Sequence, residues 1–159
     1  MSLDVRKHEK FQHLEWRWQR AGWLLLTLFV LAGLLGLLGT GPLSWTTVND
    51  GAVTVELDRV TRHEADDSIT FVFGPEAVQD GTITAELTGD WPSGVDLSGI
   101  SPEPSEQLLV PGGMVLEFMV DEPGETEVSL SFRAQRHGTL AAELAVGSDS
   151  VAFSQFVMP

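Results

Sequence analysis

Residues 82–88 read TITAELT, and this stretch sets the period of most of the chain. Its apolar residues Ile83, Ala85 and Leu87 alternate with threonine and glutamate. Successive side chains of a β-strand point to opposite faces, so the alternation predicts a strand with one buried and one solvated face. Apolar residues recur with the same period before and after it, at Val53/Val55/Leu57, Ile69/Phe71/Phe73, Leu116/Phe118/Val120, Val128/Leu130/Phe132, Leu140/Ala142/Leu144 and Val151/Phe153.

Turn-forming triplets separate these segments, at residues 79–81, 111–113, 122–124 and 136–138. No long helical period follows residue 50. Short strands at regular spacing with turns between them are typical of an all-β domain. We therefore predict an immunoglobulin-like antiparallel β-sandwich of seven or eight strands over residues 51–159, with a small closed barrel as the alternative.

The least regular part of this domain is residues 89–106, GDWPSGVDLSGISPEPSE. Proline has no N–H to donate to a strand ladder, so this segment is predicted to be an exposed loop or an edge strand. Trp91 is predicted to fill the core rather than to form an exposed contact.

A different pattern precedes the domain: residues 21–39 read AGWLLLTLFVLAGLLGLLG, without a charged residue. About 20 apolar residues in a helix cross a ~30 Å hydrocarbon core, so this segment is predicted to be a transmembrane α-helix. A cleaved signal peptide is the alternative, but Pro42 follows the only small-residue site, Gly39-Thr40-Gly41, and disfavours cleavage.

The distribution of arginine and lysine predicts the orientation. Arg17 and Arg20 directly precede the span, and the next basic residue is Arg59. The positive-inside rule then makes residues 1–20 cytoplasmic and 40–50 a linker to an extracytoplasmic domain at 51–159, in the cell inner membrane. Residues expected at the two membrane interfaces are Trp16, Arg17, Trp18, Arg20, Trp23 and Trp45.

Small residues lie in the outer half of the predicted span, at Ala32, Gly33 and Gly36. Small side chains four residues apart let a second helix approach closely, so these are candidate helix–helix contacts with another integral membrane protein or with a second copy. The alternative is that glycine is simply common in membrane helices.

The negative charge of the outer domain limits the partners that it can bind. The formal net charge is -14, and 20 of the 23 acidic residues follow the apolar segment, against four arginines there. Such a domain repels nucleic acid, which is excluded as a partner. The chain has no cysteine, so it has no disulfide.

The sequence carries no recognisable catalytic or cofactor-binding constellation. His63 and His137 stand among unrelated neighbours, and a zinc site needs further ligands at suitable spacing. Acidic pairs such as Asp66-Asp67 and Asp121-Glu122 could bind calcium, but such pairs are more often solvated turn residues. We therefore predict no catalytic residue, no cofactor and no metal ligand, and a chain that is not an enzyme.

The run Arg17-Trp18-Gln19-Arg20-Ala21-Gly22-Trp23, with Gly41-Pro42-Leu43-Ser44 after the span, resembles a family of small bacterial single-pass membrane proteins of uncharacterised function. The resemblance covers about residues 17–44. It implies an inner-membrane protein, accessory to a larger integral membrane protein, and it transfers no catalytic residue.

Two functions remain compatible with these observations. The first is a membrane-anchored, non-enzymatic interaction or accessory subunit that presents its acidic domain outside the cytoplasm. The alternative is a tethered module that binds or senses an extracytoplasmic ligand or cation.

Overall fold

The computed structural model describes residues 9–35, 44–120 and 124–159, with side chains from residue 16 onward. One long helix precedes a domain made almost wholly of strands. The elements are α1 Glu9–Leu34, β1 Trp45–Asp50, β2 Val53–Asp58, β3 Val60–Arg62, β4 Asp66–Phe73, β5 Thr82–Gly89, α2 Trp91–Gly94, β6 Val95–Ser101, β7 Glu106–Val110, β8 Gly113–Met119, β9 Thr126–Ala134, β10 Gly138–Val146 and β11 Asp149–Met158.

The strands form two sheets, which confirms the predicted all-β sandwich. One sheet has the order β1-β2-β4-β9-β6 and the other β3-β11-β10-β5-β8-β7. All pairs are antiparallel except β3 with β11. The inner faces of the two sheets pack on one another, as in other β-sandwiches.

The predicted number of seven or eight strands is wrong, because the described residues form eleven. The strands that the apolar alternation does not reveal are irregular in sequence. In β1 the exposed positions alternate only with half-buried ones, β3 has three residues, and β7 carries consecutive apolar residues, Leu108 and Leu109. Backbone pairing, rather than side-chain burial, defines them.

The predicted linker, residues 40–50, also needs correction. Its second half is β1, which pairs with β2 over their full lengths, from Trp45 opposite Asp58 to Asp50 opposite Val53. Gly51, at φ 58°, makes the turn between them, a conformation that favours glycine. The sandwich therefore begins before residue 51, while residues 40–43 lie outside the described residues.

The helix α1 overlaps the predicted membrane span without reproducing it. Within the ranges that the structure describes, no helix is both long enough and apolar enough to cross a membrane. The first half of α1 is charged, and its apolar part from Ala21 to Leu34 rises only ~21 Å at ~1.5 Å per residue, short of a ~30 Å core. The described part of the predicted span therefore does not reach across a membrane by itself; residues 36–39 of that prediction lie outside the described residues.

The core lies between the two sheets and consists of the alternating residues that the sequence indicates. Ile83, Ala85 and Leu87 are at most 1% exposed, and the inward-facing apolar residues of β2, β4, β8, β9, β10 and β11 are buried with them. Trp91 is fully buried, as predicted. The irregular segment 89–106 forms α2 and then β6, which ends its sheet, so the edge-strand reading is confirmed.

Candidate functional site

The predicted membrane-interface residues on α1 are exposed. The exposed fractions are 53% for Trp16, 72% for Trp18 and 64% for Trp23, and the guanidinium carbon of Arg20 lies 3.7 Å from the centroid of a Trp16 ring. Arg17 is exposed as well. Arginine over an indole is a cation–π contact, which orders this charged and aromatic turn of the helix.

The second half of α1 exposes apolar side chains around its whole circumference. Between Trp23 and Leu34 the large apolar residues are 51% to 74% exposed, with Leu25 the most exposed. Thr27 is the only hydroxyl there, and it donates to the carbonyl oxygen of Trp23 at 2.8 Å, which satisfies it within the helix. This surface contains no polar face for water.

The predicted helix-contact residues are only partly described. Ala32 is half-buried and Gly33 is exposed on α1, whereas Gly36 lies outside the described residues. Trp45, predicted at the outer interface, is the first residue of β1 and is 61% exposed. Of these residues, Gly33 and Trp45 are therefore exposed.

All four arginines of the sandwich lie at the end where the chain enters it. The Arg59 N–H donates to the Ser44 carbonyl oxygen at 2.8 Å, and the Arg59 carbonyl oxygen accepts from the Phe156 N–H. Arg62 is opposite Met158 at the end of β3, and the other two arginines, Arg133 and Arg136, lie at the end of β9 and just after it. The opposite end, around the β1–β2 and β10–β11 turns, therefore has no arginine or lysine in a domain with 20 acidic residues.

Both histidines of the domain meet at this arginine end, a proximity that the sequence does not indicate. The ring centroids of His63 and His137 are 6.2 Å apart, and the His63 Nε2 atom is 3.1 Å from the Gln135 carbonyl oxygen. They come together because the His63 N–H donates to Met158 on β11, next to the turn that holds His137. Within the described ranges no three metal-ligating side chains are grouped, so the pair has no third partner of this kind there.

The acidic pair Asp66-Asp67, which was considered for calcium and expected to be solvated, is divided between two roles. Asp66 accepts from the Arg133 guanidinium at 2.8 Å on the exposed surface. Asp67 points inward, because neighbouring residues of a strand face opposite sides. The second pair, Asp121-Glu122, lies outside the described residues.

A polar network crosses the core at the position of Asp67. Gln155 is 1% exposed; its Oε1 accepts from the Trp91 Nε1–H at 3.1 Å, and its amide nitrogen donates to the Asp58 carbonyl oxygen and to Asp67 Oδ2. Every buried side-chain nitrogen and oxygen of the described residues has a hydrogen-bond partner. This network was not predicted from the sequence. Gln155 and Asp67 occupy positions where the alternation of their strands calls for an apolar residue, and this is the signal that could have indicated it.

Burial raises the pKa of the Asp67 carboxyl above its ordinary value, and the charge of Asp58 acts in the same direction. Hydrogen bonds from Thr61, Ser68 and Gln155 oppose the rise without cancelling it. The folded protein therefore holds the Asp67 proton more tightly than the unfolded chain does. The resulting stabilisation is complete below the unfolded pKa, near 3.8, and is lost as the pH rises through the raised pKa of the folded state.

We therefore expect the difference in free energy of unfolding between the wild type and Asp67→Asn to shift in favour of the wild type as the pH falls from about 7 to about 4. Urea unfolding of both proteins at a series of pH values measures this difference, and titration of the other carboxyls cancels in it. If the difference in free energy of unfolding does not change with pH, or shifts in favour of Asp67→Asn as the pH falls, then folding does not raise the pKa of Asp67.

The outer edges of the sheets differ in their chemistry. The edge strand β7 exposes Leu108 by 53% and Leu109 by 79%, and no charged residue follows Glu106 in it. On the other side of the sandwich, Val48 of β1 and Ala152 and Phe156 of β11 help to line an open groove of about 590 Å³. Among the described residues, no carboxylate or histidine lines this groove.

Comparisons with known proteins return structural likeness alone. No family model matches the chain, and no curated protein is similar to it. The seventh ScaB type I cohesin from Pseudobacteroides cellulosolvens is 12% identical, with 62% of this chain and 86% of that chain covered and a TM-score of 0.45. A cohesin module of a Clostridium perfringens family 33 glycoside hydrolase is 12% identical over 70% and 98%, with a TM-score of 0.46. The bacterial hydrophobin BslA is 19% identical over 67% and 94%, with a TM-score of 0.41. At these values the likenesses assign neither a family nor a function.

Proposed function

We propose that the chain is a non-enzymatic interaction module, attached to a membrane by the apolar part of its N-terminal segment and presenting the acidic sandwich on the extracytoplasmic side. The observation that carries the proposal is the apolar surface of α1. Its large apolar side chains from Trp23 to Leu34 are more than half exposed on every side of the helix. Apolar surface in water costs about 25 cal/mol per Å², so this helix requires an apolar environment.

Lipid is the occupant that fits this surface best. A protein groove covers one face of a helix, and a helix lying on a membrane surface keeps a polar face toward water. Hydrocarbon, in contrast, surrounds a helix completely. Arg17 and Arg20, with Trp16 and Trp18, precede the apolar part, where cationic and indole groups suit the headgroup level.

The charge of the sandwich favours the same arrangement. Its arginines lie at the end that contains Ser44, the first described residue after the N-terminal segment, and the far end carries only acidic groups. An anionic membrane surface repels acidic groups less when they are farther away than a Debye length, ~8 Å at physiological salt. A domain held by its arginine end therefore keeps its most acidic end away from the lipid.

The proposed interaction role rests on the small residues of the N-terminal segment. Ala32 and Gly33, together with Gly36, would let a second membrane helix approach closely, either from another integral membrane protein or from a second copy. Recovery of one stoichiometric partner from mild detergent would identify which of these it is.

Single cysteines test the location directly, since the natural chain has none. Ser148 is exposed in the turn before β11, so Ser148→Cys should react with a membrane-impermeant thiol reagent in intact cells. Ser2→Cys should react only after the membrane is opened. If only Ser2→Cys is labelled in intact cells, the orientation is the opposite of the proposed one. If neither cysteine is labelled after lysis, the reagent does not reach these positions and cannot report the orientation.

A further inference from the structure

The four sheet edges are protected unequally. Edge strands attract other strands, and proteins blunt them by shortness, charge, bulges or cover. β3 has three residues, β6 carries Asp96 and a register shift between Leu97 and Gly99, and β1 lines a groove together with β11. β7, in contrast, pairs in regular register from Glu106 to Val110, and in the described part of the chain β8 is its only neighbouring strand.

The backbone of β7 directs hydrogen-bonding groups away from its sheet. The Glu117 carbonyl oxygen on β8 accepts from the Ser105 N–H at 2.7 Å, so the backbone groups of Glu117 and of every second residue of β8 point toward β7. Residues of β7 opposite them, such as Leu108, point back toward β8. Gln107 and Leu109, which alternate with these residues, therefore direct their N–H and C=O groups outward, where a further strand can add by backbone hydrogen bonds.

The side chains along this edge are apolar in the middle and acidic at one end. Leu108 and Leu109 are both more than half exposed, on opposite faces of the strand. Glu106 lies directly opposite Glu117, a position in which like charges repel. Neither glutamate forms an ion pair with any residue that the structure describes. A positive charge brought from outside would offset this repulsion.

We propose that β7 binds an extended segment of a partner protein as an added antiparallel strand, with apolar side chains opposite the two leucines and a lysine or arginine opposite Glu106. Directly opposite residues of paired strands face the same side of a sheet, so the cationic side chain lies beside Glu106, one strand away from Glu117. On the other face, the residue opposite Leu109 lies toward the open groove that Leu97 and Ile100 help to line.

The charge of the domain favours a cationic segment at this place. Thr84 of β5 pairs with Glu117, and Ala85 pairs with Val146 at the end of β10 that is remote from the arginines. The glutamate pair therefore lies toward the end of the sandwich without arginine or lysine. The inference concerns the sandwich and not α1, so it does not depend on the proposed attachment to a membrane, and either can fail without the other.

Disulfide exchange tests this pairing, because the natural chain has no cysteine. The probe is a synthetic peptide of threonine and valine with one central cysteine and, two residues after it, a lysine, supplied as its mixed disulfide with glutathione. In an antiparallel pair the peptide cysteine lies opposite position 108, with Cα atoms ~4.5–5.5 Å apart, within the range that a disulfide spans. The thiolate of Leu108→Cys then displaces glutathione and captures the peptide.

The purified full chain with Leu108→Cys is equilibrated with the peptide in mild detergent, and mass spectrometry measures the captured fraction. The lysine peptide should give at least about fivefold more adduct than the same peptide with glutamate in place of lysine, a ratio that corresponds to roughly 1 kcal/mol. In the Leu108→Cys background, Glu106→Gln should reduce this ratio to about twofold or less, because it removes the charge beside the lysine.

Leu109→Pro in the same background separates strand addition from general attraction to an acidic protein. It removes an outward N–H, a change that an edge strand tolerates, and should lower the adduct with both peptides. Circular dichroism verifies that the variants keep the strand content of the parent. Equal adducts of the two peptides with Leu108→Cys, or an adduct that Leu109→Pro leaves unchanged, would overturn the proposal. A covalent dimer of Leu108→Cys in place of the peptide adduct would assign this edge to a second copy instead.

Discussion

Trp91→Ala is expected to lower the free energy of unfolding by about 3–5 kcal/mol, the range for emptying a buried aromatic site. The ring is fully buried and packs edge-on against Phe132, with centroids 4.8 Å apart, and against Phe153 at 6.2 Å. Its indole N–H is also the donor to Gln155 Oε1. Because the substitution also leaves this buried acceptor without its donor, we expect a loss in the upper part of that range.

Trp45→Ala is the matched control, because it removes the same side chain where it is 61% exposed. Its effect should stay within about 0.5 kcal/mol, as for most surface substitutions. Trp91→Phe keeps one aromatic ring but removes the N–H and part of the indole volume, so its loss should be smaller than that of Trp91→Ala. Urea unfolding in mild detergent, followed by near-ultraviolet circular dichroism, gives all three values. Equal losses for Trp91→Ala and Trp45→Ala would show that Trp91 does not organise the core.

The double substitution Leu25→Lys with Leu28→Lys should release the protein from the membrane fraction. Both leucines lie in the middle of the apolar part of α1 and are at least 70% exposed. Each lysine at the centre of a membrane-inserted helix costs about 2.5–3.5 kcal/mol, so the pair weakens insertion by several orders of magnitude. Fractionation of cells, with an alkaline wash of the membranes, measures the change.

Leu25→Ala with Leu28→Ala is the control, since it reduces the side chains without adding charge and should leave the protein with the membranes. If both double variants stay there, the attachment resides in the sandwich or in a partner, and lipid does not surround α1. If both leave, apolar area rather than charge decides the attachment.

The sandwich could be predicted because its core strands alternate strictly. At Ile83, Ala85 and Leu87 each second side chain is apolar and buried, and the same holds along β9 and β10. The edge strands could not be counted in this way, because an edge strand buries little on either face. β7 shows the limit, since its adjacent leucines follow neither the period of a strand nor that of a helix.

Polar contacts between residues that are distant in the chain could not be predicted from the sequence either. Gln155 stands in a core position of β11, and this break in an apolar pattern is visible in the sequence. Its partners, Trp91 on α2 and Asp67 on β4, are distant in the chain, and only the packing of the two sheets brings them together. The meeting of His63 and His137 depends in the same way on β3 lying beside β11.

The hairpin of β1 and β2 also determines how the sandwich bears mechanical load. Consider a force that pulls on the segment before Ser44 while a partner holds the far end of the sandwich. This force runs along β1, so the hydrogen bonds between β1 and β2, from Trp45 to Asp50, are loaded together in shear. The contacts of Ser44 with Arg59 and Asp58 form a clamp at the point where the force enters. If the partner instead holds the arginine end, the same force does not run along the strands, and only the contacts of Ser44 with Arg59 and Asp58 carry it.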